Sequence, residues 1–311
     1  MAEIVRTSFR FESPVLGEVA VPCFDVRGEE AGPTLAVTAG VHGCEYSSIA
    51  AVGDVVRALE GEKLAGRVVA VPVVNTSAFY SRTPFVTPED GKNLNRCFPG
   101  RADGTYSEQL AHHVFEEVIS KCDYLIDLHG GDMVEALEPF MLFDESPVEE
   151  EARAMAKAFG LPYAICQPRA DRIEGTTVAA AADAGIPAMV AEAGGRGLLE
   201  DGPRRVLSDG VQNVMRSLGM LPAAKSTPVE TTVFRRFVWL YSPGEGWWEP
   251  SVPVGESVEE GQVLGTLGTI LGEEEQITAP DGGVVLFMTS VPAVAENGIL
   301  LGLGVDASPM R

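Results

Sequence analysis

The sequence predicts an α/β protein: an α/β sandwich around a largely parallel or mixed sheet, followed by a small all-β module. Three observations predict it. From about residue 34 to residue 192, strand-like and helix-like segments alternate, the pattern that builds a sheet covered by helices. After about residue 225 helical periodicity stops, and short Val/Leu runs are punctuated by glycine. At 311 residues, 45% of them hydrophobic, the chain can build one large domain or two ordinary ones around a substantial core.

The elements follow in order. T-L-A-V-T-A (34–39) is a β-rich run, and the segment from Glu45 to Leu59 carries apolar residues at helical spacing. R-V-V-A-V-P-V-V (67–74) reads as a buried strand, and a Pro/Gly/Asn-rich loop covers about 75–105. A helix over 107–119 opens on Ser107 as its N-cap. D-Y-L-I-D-L-H (123–129) is a strand ending on a histidine; a strand at 138–143, a helix near 147–159 and a strand at 187–192 continue the alternation. The boundary falls in A-A-K-S-T-P-V-E (223–230), giving units 1–225 and 226–311.

Charge narrows the function classes. A formal net charge of -22 repels phosphate backbones and anionic lipid, so neither nucleic acid nor a membrane is expected as a partner. No apolar run reaches the roughly 18 residues of a membrane span, and two arginines and a glutamate interrupt the first ten residues, unlike a signal peptide. Five scattered cysteines without a CxxC pair fit reduced thiols in a cytoplasmic protein. A homo-oligomer is compatible with all of this.

In such sheets ligands gather at the carboxyl ends of strands, where His42, His129 and Glu192 stand. His42 and Glu45 lie three apart at a strand-to-helix turn, which places them on one face. Alone, HxxE reads equally as a polar turn, but Gly40 and Gly43 allow backbone to approach a ligand closely. Of the three other histidines, His112 and His113 sit side by side on a helix and read as solvated or packed residues. His129 ends a buried strand before Gly130 and Gly131, and Asp127 shares its strand face, where it can accept a hydrogen bond from a ligand imidazole. Two histidines and a glutamate leave a fourth position for water, the arrangement of a catalytic zinc. Glu192 ends another buried strand and is either the proton acceptor or the partner of Arg196. Asn95 and Arg96, in K-N-L-N-R-C-F-P-G (92–100), offer an amide and a planar fork for a substrate carboxylate.

Four motifs in this order, H-G-C-E, N-L-N-R-C-F-P-G, D-L-H-G-G and V-A-E-A-G-G, resemble the succinylglutamate desuccinylase/aspartoacylase family over roughly residues 30–310. The nearest likeness within it is to bacterial deacylases that include N-acetyl-diaminobutyrate deacetylases. The resemblance implies a zinc-carboxypeptidase-like αβα sandwich with a mixed sheet and a barrel-sandwich-like C-terminal β domain. It implies one zinc per chain on His42, Glu45 and His129, Glu192 as general base, and Asn95 with Arg96 as carboxylate clamp. Relatives carry a further arginine upstream in that loop. Phe85 stands about there, and Arg82, slightly earlier, is the candidate to take its place. The reaction implied is deacylation of a small anionic or zwitterionic N-acylated amino acid or related amine. A carboxypeptidase acting on peptides, or a non-catalytic metal- or ligand-binding relative, uses the same residues. The last lysine is Lys225, so the β module has no lysine to carry an acyl group; Tyr241, Trp247 and Trp248 either wall the site or form the module's core.

Overall fold

The computed structural model describes residues 1–224 and 229–310. It opens with a hairpin, β1 (Glu3–Ser13) and β2 (Gly17–Arg27), followed by β3 (Glu30–Ala39), α1 (Tyr46–Ala58), β4 (Ala65–Val71) and the short α2 (Thr76–Ser81). Next come α3 (Tyr106–Glu117), β5 (Tyr124–His129), β6 (Glu135–Leu137), β7 (Phe140–Asp144), α4 (Glu149–Phe159) and β8 (Tyr163–Gln167). The helical half ends with α5 (Thr177–Asp183), β9 (Ala188–Glu192) and α6 (Asp201–Ser217). Eight strands follow: β10 (Thr232–Tyr241), β11 (Gly246–Pro250), β12 (Ser257–Val258), β13 (Val263–Gly268), β14 (Glu274–Thr278), β15 (Gly283–Thr289), β16 (Ala293–Val294) and β17 (Ile299–Pro309).

Period-two alternation in the strands sorts the side chains into two cores. Leu35, Val37, Ile126 and Leu128 pack with α1, α4 and α6 on one face of the sheet. Ala36, Val69, Val71 and Leu125 pack with α3 and α5 on the other. The result is three layers around a mixed sheet. Strands β4, β3, β5 and β9 run parallel, β7 runs antiparallel to β9, and β8 is parallel to β7. This agrees with the predicted class, and β3, β5 and β9 end together where the site residues were placed.

Several elements differ from expectation. The loop at 75–105 contains α2 and a 3-10 turn, Leu94–Arg96, because Asn75 and Asn93 cap them with their side-chain oxygens. The third helix begins after Thr105, whose N–H donates to the Glu108 carboxylate at 2.7 Å; Ser107 donates instead to Asp90 at 2.7 Å. All eight strands after residue 230 form, yet they do not all stand apart. β10 pairs with β8 through Thr232–Phe234, and β17, β15 and β12 extend the same sheet. That pairing covers backbone groups that β8 otherwise leaves at an edge. Only β14, β13, β11 and β16 make a separate four-stranded sheet. The expected boundary between residues 225 and 226, with Lys225, lies outside the described residues. Trp248 is core, whereas Tyr241 and Trp247 are exposed. All five cysteines are free thiols. No helix among the described residues is long and apolar enough to cross a membrane.

One core position has a measurable consequence. Asp144 ends β7 at 3% exposure, its Oδ2 has no hydrogen-bond partner, and burial raises its pKa to about 6. An acid whose folded pKa is raised favours the native state only while protonated. Stability is therefore lost as pH rises from the unfolded value near 4 through about 6. Asp144→Asn is expected to remove that loss and raise stability at pH 7 by on the order of 2 kcal/mol. Thermal melts of both proteins between pH 4 and 7 test this, and parallel curves would refute it.

Candidate metal centre and active site

The first half of the site is a strand-to-helix turn. β3 ends at Ala39, Gly40 turns the chain with φ +64°, and α1 starts at Tyr46 with Glu45 as its N-cap residue. A Cβ on Gly43 would lie 2.3 Å from the Ala78 carbonyl carbon and the Phe79 nitrogen, so only glycine lets this turn pass α2. The N-terminus of the 13-residue α1 favours the negative charge of Glu45. Both His42 and Glu45 are buried.

The second half is the end of β5. In the parallel pairing His129 stands opposite Glu192 of β9, and Asp127 opposite Thr38 of β3. The three side chains His42, Glu45 and His129 bring ligand atoms within 4.8 Å of one another. His42 Nδ1 is 2.7 Å from Glu45 Oε1, and His129 Nδ1 is 3.1 Å from Glu45 Oε2. The outward nitrogens are anchored: His42 Nε2–H donates to Asn93 Oδ1 at 3.0 Å, and His129 Nε2–H to Asp127 Oδ2 at 2.9 Å. These bonds leave both Nδ1 atoms pointing at one carboxylate. Asp127, fully buried, also accepts hydrogen bonds from the Thr38 and Thr177 hydroxyls.

Electrostatics marks the same place. Burial disfavours charge on His129, but Asp127 and Glu45 outweigh it and hold its pKa well above the usual value. His42 behaves likewise, burial opposing and Glu45 prevailing. Burial pushes the Glu45 carboxyl up, while His129 and His42 pull it down further, to about 2. Its Oε2 is nevertheless without a hydrogen bond. A buried carboxylate between two imidazoles with an unsatisfied oxygen fits a divalent cation with nitrogen and oxygen ligands.

Glu192 borders this cluster, half-buried, with no hydrogen bond or ion pair to its carboxylate among the described residues. Arg196 pairs with Glu200 at 3.1 Å, not with Glu192. Burial raises the Glu192 pKa well above its usual value; His129 opposes this, and Glu45, Glu135 and Asp127 add to it.

The 92–100 loop meets the cluster through its asparagines. Asn93 bonds His42, and Asn95 Oδ1 accepts from the Thr177 N–H at 3.1 Å, next to Asp127. Arg96 is exposed and donates to the Asn95 carbonyl at 2.6 Å. Together with Lys92, Asn93 and Arg101 it lines a cavity of about 430 Å³, and it has no carboxylate partner among the described residues. Arg82 is exposed at the left-handed C-cap of α2 and makes no side-chain hydrogen bond among the described residues. Phe85 takes its place beside the cluster: it stacks on His42 at 5.2 Å and its N–H donates to Asp132. Its φ of +62° is a strained conformation for an aromatic residue. His112 and His113 stay outside, His113 stacked on Phe11 at 4.4 Å. Cys44 is buried and is not part of the ligand cluster. Sequence reading passed over Asn93, Thr177, Asp132 and Glu135. Asn93 stood in the quoted loop, and Glu135 stands six residues past His129; neither carries a motif of its own.

Residues 31–218 match the succinylglutamate desuccinylase/aspartoacylase catalytic domain. The chain belongs to the succinylglutamate desuccinylase/aspartoacylase family. Among relatives, the N-alpha-acetyl-L-2,4-diaminobutyric acid deacetylase of Halomonas elongata is 32% identical over 257 residues, 80% of this chain and 74% of that protein. Among solved structures, a succinylglutamate desuccinylase/aspartoacylase from Rhodobacter sphaeroides superposes with a TM-score of 0.85 at 25% identity, covering 97% of this chain and 95% of that one. The fold is shared with the ectoine utilization protein EutE (DoeB) of Ruegeria pomeroyi in a product-bound structure, at a TM-score of 0.86, 24% identity and coverages of 97% and 95%. Each of these likenesses covers 97% of this chain and so extends beyond the catalytic domain into β10–β17.

Proposed function

We propose that the protein is a cytoplasmic, zinc-dependent deacylase that hydrolyses the amide of a small N-acylated amino acid or related amine. In that reading its sandwich is the zinc-carboxypeptidase type, and the last strands form a barrel-sandwich-like unit beside the site. The chain is a deacylating amide hydrolase by family. The observation that carries the metal is the buried Glu45 carboxylate, held between two Nδ1 atoms, with Oε2 in ion-pair range of His129 Nδ1 but in no hydrogen bond.

His42, Glu45 and His129 would hold one zinc. When bound, zinc supplies Lewis acidity, lowering the pKa of a water to roughly 7 and polarising a carbonyl. Asn93 and Asp127 keep the outer protons on the two imidazoles, which fixes the ligand tautomers. Glu192 takes up the water proton and returns it to the leaving nitrogen. Arg96 holds the substrate carboxylate, with Asn95 bracing the loop and Arg82 as a second cation at its entrance. Positioning of this kind lowers the barrier by itself.

The test is a hydrolysis screen over N-acetyl, N-succinyl and N-formyl amino acids and diamines, with zinc-loaded and chelated protein. Turnover that chelation abolishes and zinc restores is expected; release of C-terminal residues from peptides instead would make it a carboxypeptidase. Arg96→Ala should raise KM for carboxylate-bearing substrates about 10- to 100-fold, the worth of a hydrogen bond to a charge. Unchanged KM in steady-state kinetics removes the clamp.

A further inference from the structure

The hydrogen bonds of His42 hold its edges and leave its face free. Nδ1 is directed at Glu45 and Nε2 at Asn93, which fixes a line through the ring. The imidazole can still tilt about that line. What blocks the tilt is Phe85, whose ring lies at 18° to the imidazole with 5.2 Å between centroids. Phe85 is 43% exposed and His42 8%, so the phenyl ring stands between the imidazole and solvent.

The backbone is strained to put it there. The Val86 N–H donates to the Pro84 carbonyl at 2.7 Å, closing a three-residue turn around Phe85, whose φ is +62°. A γ-turn with positive φ at its centre is the rare, strained form, and costlier with a β-carbon than with glycine. Both ends of the turn are anchored. The Thr83 N–H donates to the Ala78 carbonyl at 3.1 Å and the Thr87 N–H to the Lys92 carbonyl at 2.8 Å. The buried Thr87 hydroxyl accepts from Asn75 Nδ2 at 2.9 Å. In the middle, the Phe85 N–H donates to Oδ2 of Asp132, three residues past His129. Asp132 is itself buried; its Oδ1 accepts from the Met133 N–H at 2.6 Å, and its carbonyl from the Arg196 N–H at 3.0 Å. The segment that follows the second histidine thus holds the ring that covers the first.

Such strain persists only where the surroundings over-determine it, and it collects at functional sites. Resting on the zinc reading, we propose that Phe85 is a positioning residue for the metal, locked in its turn by Asp132, its stacked ring setting the plane of His42 so that Nδ1 faces the ion. An imidazole bound to a dication is electron-poor, and the negative face of a phenyl ring favours it. In this role Phe85 acts through His42, and Asp132 acts through Phe85.

Zinc competition against a chromogenic chelator, with the full chain, tests this without turnover. Phe85→Ala is expected to weaken zinc binding about 3- to 10-fold, Phe85→Leu as much, and Phe85→Tyr little. Cobalt loading gives a second reading: Phe85→Ala should shift the visible absorption of the bound cobalt, and Phe85→Tyr should keep it. Phe85→Gly separates the role from folding. Glycine suits the positive φ, so this variant should melt above Phe85→Ala, yet bind zinc no better. Asp132→Ala should weaken zinc to a similar extent and add nothing when combined with Phe85→Ala, whereas additive losses would overturn the link between the two residues. Wild type that takes up no zinc overturns the metal reading and this role with it. Zinc held as tightly by Phe85→Ala or Phe85→Leu as by wild type overturns the role alone, and so does a cobalt spectrum that no Phe85 variant changes.

Discussion

Glu192→Gln is expected to keep its zinc and lose turnover. The substitution preserves volume and leaves His42, Glu45 and His129 in place, so metal analysis should still return one equivalent per chain. What disappears is the carboxylate that stands opposite His129 in the sheet and has no hydrogen bond or ion pair among the described residues. A positioned general base contributes roughly 10²- to 10⁴-fold, so kcat should fall by about that factor with KM little changed. The pH profile supplies a second reading. In the metal-free cleft burial holds the Glu192 carboxyl well above its usual range, opposed by His129, with Glu45, Glu135 and Asp127 adding to the effect. A bound dication reverses this local balance and favours the carboxylate. Activity of the loaded wild type should therefore fall as the medium becomes acid enough to protonate Glu192, and the residual activity of the variant should lack that limb. A variant with wild-type kcat would falsify the role of Glu192.

The readable parts of the sequence were those set by strand ends. His42, His129 and Glu192 stand at or just past the carboxyl ends of β3, β5 and β9, as the sequence predicts, because hydrophobic runs locate strands and parallel strands finish on one side. Asp127 was legible for the same reason, two residues from His129 on one strand face. Partners carried by a loop or by the first residue of a helix were not legible. Asn93 reaches His42 from 51 residues away, and Thr177 reaches Asp127 from 50, contacts that periodicity does not encode. α2 escaped because six residues show little helical period and its start depends on one asparagine cap. The placement of β10 beside β8 escaped as well, since a glycine-rich all-β run reads as a separate module until a partner edge is known. Glu135 depends on that same assembly: its strand pairs with β15, about 150 residues further along the chain.

Glu45→Gln is expected to lower zinc affinity by more than about 100-fold, whereas Asp127→Asn should lower it about 10- to 100-fold, the range for partners that only orient a ligand. Two opposing effects meet in Glu45→Gln. The carboxylate raises the pKa of both His42 and His129, so removing it eases the competition between protons and metal for the two Nδ1 atoms. It is also the one anionic ligand in the cluster, and an amide oxygen offers a dication far less charge. The second effect is the larger, because the Nδ1 protons can be titrated away at higher pH and the missing charge cannot be restored. The same reasoning fixes the pH dependence in wild type. Both imidazoles hold protons above their ordinary value of 6.5 in the metal-free protein, and each must release one to bind zinc. Affinity should therefore begin to weaken above pH 6.5 on acidification, and calorimetry in buffers of different ionisation enthalpy should detect protons released on binding. Competition against a chromogenic chelator measures the affinities. If Glu45→Gln binds zinc as tightly as wild type, the carboxylate between the two imidazoles is not a ligand, and the metal centre built on it fails.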